Sequence, residues 1–297
     1  MGRSLSAHEA GQDPEITNGT ASKLMKRGIA LLTENTPQTL RESLPCFDEA
    51  IRLRCTLPLG ENAWYRYVLA AGFMNCADAL SRLGSPDDAL SSYDDALAIL
   101  QTLDLEENPL FSERLAIAWM NRGVTLQQKS VADALISFEN AIAIATEPSL
   151  LAASLTNYGN ALLQLSAPDS VRARHAFEDA LGLLDDHEET DVEMAEIGLK
   201  ARHGICRALA WQLADESDGN LVSIATDTME DALKLARHWQ SLGETRFHDL
   251  ALELIHFGAR AYRNYQPHFL AEFLTEMLAA FRPGPLRPDQ IPDSRSA

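Results

Sequence analysis

The sequence predicts an all-α fold, a solenoid of about five helix pairs closed by a C-terminal capping pair. Three observations carry that expectation. Two short phrases alternate along the chain, turn signals separate them, and one place in the first phrase is kept for a glycine or alanine. Self-similarity of this kind, at intervals of a few tens of residues, marks a repeat architecture in which each unit buries its apolar face against the next.

The phrase belonging to the second helix of each pair is the clearer one. It reads FDEAI ending at Ile51, YDDAL at Leu97, FENAI at Ile142, FEDAL at Leu181 and MEDAL at Leu233. Its alanines, Ala50, Ala96, Ala141, Ala180 and Ala232, stand 46, 45, 39 and 52 residues apart, so the motif is tight while the period is loose. Ala89, Ala134, Ala173 and Ala225 precede the large apolar residues Tyr93, Phe138, Phe177 and Met229 by four places, and the phrase alanine follows by three. Residues three and four apart share a helix face, so small, large and small form one stripe facing the first helix.

The phrase of the first helix reads KRGIALL (26–32), NCADALSRL (75–83), NRGVTLQQ (121–128), NYGNALLQL (157–165) and RHGICRAL (202–209). Gly28, Gly123, Gly159 and Gly204 occupy the third place, with Ala77 in the second pair. Glycine inside a helix costs about 1 kcal/mol relative to alanine, so its recurrence calls for close approach of a neighbouring helix. Between the phrases lie Asn35-Thr36-Pro37, Gly84-Ser85-Pro86 and Ala167-Pro168-Asp169, which read as turns ahead of a helix start. The domain reading is an N-terminal tail over 1–20, the array over 21–240, capping helices over 241–282 and a Pro-rich tail over 283–297.

These residues resemble the tetratricopeptide repeat, which places a small residue mid-way along the first helix and an alanine, an aromatic and an alanine on the second. Ser43 replaces the first alanine of pair one, Met229 replaces the aromatic of pair five, and the proline expected after the second helix is missing. The longer units are closer to the variety found in kinesin light chains and many bacterial signalling proteins. The resemblance implies a right-handed superhelix with the first helices lining a concave face, and binding of a protein or peptide there. An alternative is the ligand-responsive sensor arm of a regulatory system with a separate effector.

On the expected inner face, one place holds Lys26, Asn75, Asn121, Asn157 and Arg202, two residues before the recurrent small residue. An Asn amide offers a donor and an acceptor together, so such a line can clamp peptide main chain; in families this resembles, an Asn there contacts ligand backbone. Neighbouring candidates are Asp78, Asn160, Arg82, Gln128 and Gln164. The dicarboxylate clamp of the family needs a Lys one place earlier, where this chain has Met25, Met74, Met120, Thr156 and Ala201, so that clamp is not expected.

Twenty-five basic against 43 acidic residues give a net charge of −18, a field that repels phosphate backbones and anionic membranes. Nucleic acid and membrane are therefore not expected partners. Pairs such as Asp48-Glu49, Asp94-Asp95 and Glu178-Asp179 on the second helices read as a solvating outer coat. No apolar run reaches the roughly 18–20 residues of a membrane span, and the cytoplasm is the expected compartment. Cys46, Cys55, Cys76 and Cys206 form no CxxC pair and read as reduced thiols. With no phosphate loop, metal-ligand spacing or nucleophile motif, neither enzymatic activity nor a cofactor or metal is expected.

Overall fold

The computed structural model describes residues 13–184, 187–215 and 219–262, and eleven helices lie among them: α1 (Pro14–Glu34), α2 (Pro37–Arg54), α3 (Ala63–Arg82), α4 (Pro86–Leu100), α5 (Pro109–Leu126), α6 (Val131–Ile144), α7 (Pro148–Leu163), α8 (Ser170–Gly182), α9 (Val192–Asp215), α10 (Gly219–Ser241) and α11 (Phe247–Ala261). Odd-numbered helices carry the glycine phrase and even-numbered ones the alanine phrase. The chain divides into two compact units, residues 1–157 and 158–297, with the boundary inside α7.

Local chemistry sets the helix ends. Five helices open on a proline, where the missing N–H is unpaired in any case. Asp13, Thr36, Asn62, Asn108, Ser130 and Asp169 each accept a hydrogen bond from a first-turn backbone N–H, worth about 1 kcal/mol per cap. Asn35 and Gly84 end α1 and the turn after α3 in left-handed backbone, at φ 52° and 77°. The cap at Asp13 corrects the sequence reading: residues 14–20, assigned to the tail, form the first turns of α1, and Ala21 and Met25 follow them into the core. The second capping helix and the Pro-rich tail lie outside the described residues.

In the first unit, α1 packs on α2, α3 on α4 and α5 on α6, while α2 and α4 pack on the following first helix. One cluster joins α1, α2 and α3 around Met25, Leu40, Phe47 and Ala79; another joins α3, α4 and α5 around Met74, Tyr93, Leu97 and Leu115. Met25 and Met74, which stand where the clamp would need a Lys, are thus core residues. In the second unit α9 packs on α8, α10 and α11, burying Leu184, Leu209, Met229, Leu233, Phe247 and Tyr262. Each such side chain contributes about 1.5–3 kcal/mol by leaving water.

The stripe on the second helices is buried throughout: Ala89, Ala96, Ala134, Phe138, Ala141, Ala173, Phe177, Ala180, Ala225, Met229 and Ala232 have no residual exposure, and Tyr93 has 2%. Ser43, the exception in α2, is fully buried and satisfies its hydroxyl on the Leu40 carbonyl at 2.8 Å. The glycines explain themselves in the same contacts. A Cβ on Gly28 would lie 2.5 Å from the Phe47 ring, one on Gly123 2.6 Å from Phe138, and one on Gly159 2.7 Å from Phe177. The ring of the second helix lies directly on the backbone of the first.

Candidate functional site

Pair two breaks that contact in both partners at once. Ala77 carries the Cβ that the glycines lack, so the Tyr93 ring cannot lie where Phe47 and Phe138 lie, and tyrosine adds a hydroxyl that the phenylalanines do not have. The Asn121 side chain of α5 lines the same cleft as that hydroxyl. Around it, Asp78, Ser81 and Arg82 of α3 and Asn121, Val124 and Thr125 of α5 line a cleft of about 170 Å³. Burial, and after it the Asp78 carboxylate, push the Tyr93 hydroxyl well above its ordinary range; Arg82 and Asn121 oppose them. Tyr93 therefore keeps its proton at neutral pH.

The polar groups of the cleft are largely paired with one another. Arg82 holds Asp78 through two bonds of 2.8 Å one helical turn apart, and its third nitrogen reaches Asn35 Oδ1 at 3.4 Å. Thr125 donates to the Asn121 carbonyl at 3.0 Å and its hydroxyl lies 3.4 Å from that of Ser81. The guanidinium and carboxylate cancel, leaving a neutral site that offers amide, hydroxyl and spare N–H groups beside the half-exposed Val124. Asp78 is tied to Arg82, and no imidazole is among the residues that line the cleft. Among the described residues no group of three or more His, Cys, Asp or Glu could hold a metal ion.

The structure distributes the sequence-derived candidates unevenly. Asp78, Arg82 and Asn121 meet in the cleft. Lys26 is exposed on α1, Asn75 is half-buried and donates to its own helix at Ala71 O, 2.9 Å away, and Asn157 is half-buried on α7. Asn160, Gln164 and Arg202 belong to the second unit. There Asn160 Oδ1 accepts from Arg207 at 3.0 Å, and Arg202 is committed to Glu188 through bonds of 2.6 and 2.8 Å, with the two side chains only 13% and 8% exposed. Gln128 and Gln164 lie beyond the ends of α5 and α7, in the following turns. Arg122, next to the Asn line, turns to the second helices, bonding Asp94 at 2.8 Å and Ser137 at 3.0 Å. Tyr93, Ser81 and Thr125 were missed; the signal for Tyr93 was the paired departure at Ala77 and Tyr93 from the Gly-and-Phe pattern of pairs one, three and four.

The fold is similar to that of the kinesin light chain nearly identical TPR-like repeats from Podosopora anserina, at 18% identity over 73% of this chain and 95% of that one, with a TM-score of 0.52. It is also similar to the apo form of RapI, at 14% identity over 87% of each chain and a TM-score of 0.49. At such identities the likeness is one of fold, that of tetratricopeptide-like helix pairs. No family model matches the sequence, and no curated protein matches it. No described helix is long and apolar enough to cross a membrane.

Proposed function

We propose that the chain is a protein-interaction scaffold that holds an extended segment of another protein against its first helices, with the cleft around Asn121 as the central contact. The observation that carries this reading is the meeting of Asp78, Ser81, Arg82, Tyr93, Asn121 and Thr125 beside Val124, which is 43% exposed. Extended main chain presents alternating N–H and C=O groups, and a neutral cleft holding both donors and acceptors suits it better than it suits a charged ligand. Lys26, Asn75 and Asn157 extend the same line on α1, α3 and α7. A net charge of −18 argues against nucleic acid as the occupant.

A photo-reactive amino acid at Val124 tests this against one at Ile136, which is 56% exposed on the second helix α6. The expected result is a cross-linked protein from Val124 whose capture is lost in Asn121→Ala. Capture from Ile136 alone, or capture at Val124 that is indifferent to Asn121, moves the interface off the first helices.

A further inference from the structure

The chain departs from its own repeat a second time, in α9. Three places beyond the recurrent small residue, the first four pairs carry Leu31, Leu80, Leu126 and Leu162, and the fifth carries Arg207. Leu126 and Leu162 are buried, so a guanidinium stands where the repeat puts an apolar side chain. Burial lowers its pKa, and Glu253 on an exposed face of α11 opposes that shift only through space. Its hydrogen bond goes to a neutral acceptor, Asn160 Oδ1, and among the described residues no ion pair involves it.

The helix itself departs at the same place. Measured from the small residue, α1, α3, α5 and α7 stop within six residues, while α9 continues for eleven, to Asp215. The extension carries Trp211, 51% exposed, where the other first helices have given way to Asn35, Gly84, Ser130 and Ser166. Alongside, α11 presents Phe257, whose ring lies edge-on to His203 at 5.6 Å. Arg207, Ala210, Trp211, Phe257 and Ala261 line an open cleft of about 200 Å³, lying wholly in the second unit.

A single guanidinium beside an exposed indole and a half-buried phenyl ring selects for one negative charge and a flat apolar body. A dianion such as phosphate finds one cation here and an acidic chain around it. His203 adds no second charge, because burial and then Arg207 hold it below its ordinary range.

We propose that this cleft binds a carboxylate attached to an aromatic ring, the carboxylate paired with Arg207 and the ring held against Trp211 and Phe257. The proposal goes beyond the scaffold reading and does not rest on it. Two sources share this chemistry, a free aromatic acid and the C-terminal carboxylate of a chain ending in phenylalanine.

The test uses the full chain and ligand-observed NMR with phenylacetate, phenylacetamide, and the peptide Gly-Ser-Gly-Phe as free acid and as amide. At least one acid is expected to bind about tenfold or more tightly than its amide, the scale of a charge-assisted pair. Arg207→Leu, which restores the repeat's own residue and so keeps the fold, is expected to abolish that preference while leaving the circular dichroism unchanged; Trp211→Ser is expected to weaken acid and amide alike. Tighter binding of phenylacetate assigns a free acid as the source, and tighter binding of the peptide acid assigns a chain terminus. Absence of binding by both acids, equal affinity for acid and amide, or a preference that survives Arg207→Leu overturns the proposal.

Discussion

Replacing Gly123 by alanine sets two effects of known sign against each other. Alanine is the better helix former by about 1 kcal/mol, and in an open helix that gain is realised. At Gly123, however, the new Cβ would lie 2.6, 2.8 and 2.9 Å from three atoms of the Phe138 ring. The ring is fully buried and stiff, so the helices must part or the ring must leave its place, and overpacking of this kind costs about 1–3 kcal/mol. Three contacts under 3.0 Å put the cost toward the upper end, for a net loss of about 1–2 kcal/mol. Gly19, exposed in the middle of α1 with nothing within 4 Å of a Cβ, is the internal control: the same substitution there should stabilise by up to about 1 kcal/mol. Urea unfolding followed by circular dichroism compares the midpoints, and Gly123→Ala combined with Phe138→Leu should recover part of the loss through a favourable coupling. Equal shifts for Gly123→Ala and Gly19→Ala, or no coupling with Phe138, would refute the role of glycine as the seat of the ring.

Four further outcomes follow from the same contacts. Ala141→Phe, at a position with no exposure, should cost about 1–3 kcal/mol and loosen α6 from α5, read as lost hydrogen-exchange protection in both helices. Removing one partner of the Arg202–Glu188 pair, by Glu188→Gln or Arg202→Met, should cost roughly 3 kcal/mol because the other charge stays buried, with the double variant less damaged than the sum. Burial pushes the Cys76 thiol up to about 11 and Cys206 up to about 12, so alkylation at pH 8 should label exposed Cys55 well before either, as read by mass spectrometry. Because those folded values lie above the unfolded value of about 8.5, this contribution to stability is complete below that pH and is lost as pH rises toward 11, which a pH series of unfolding midpoints checks.

Most of the packing was legible because it is periodic. A residue's place in the repeat fixes which face of its helix it occupies, so Ala96, Phe138, Ala141 and Phe177 could be assigned to the interior and Asp95, Glu139 and Glu178 to the outside before any coordinates. What a loop brings to that face is not periodic. Arg202 stands in line with Asn75 and Asn121, yet its charge is answered by Glu188, fourteen residues earlier in a segment that Trp239 holds through the Glu188 carbonyl at 2.8 Å. Asn75 has the same register as Asn121, but one amide turns back on its own helix while the other residue lines the cleft with Tyr93. The start of α1 was misread for a different reason: residues 14–20 are polar, and the helix signal, Asp13 ahead of Pro14, was local chemistry within a segment judged on composition.

The two clefts arise where the repeat fails in a correlated way, and this separates a site from drift. A lone exception such as Ser43 is absorbed, because one carbonyl satisfies it and the stripe stays shut. At pair two, alanine in place of glycine and tyrosine in place of phenylalanine change both sides of one contact, and Tyr93 and Asn121 line one cleft there. At pair five, arginine in place of leucine coincides with a lengthened helix and an exposed tryptophan, and the three act on one cleft. Each substitution alone is unfavourable where it stands, since a half-buried guanidinium and an exposed indole both cost free energy in the isolated chain. Local consistency is sacrificed twice, at adjoining residues each time, and those are the positions at which a ligand can return the cost.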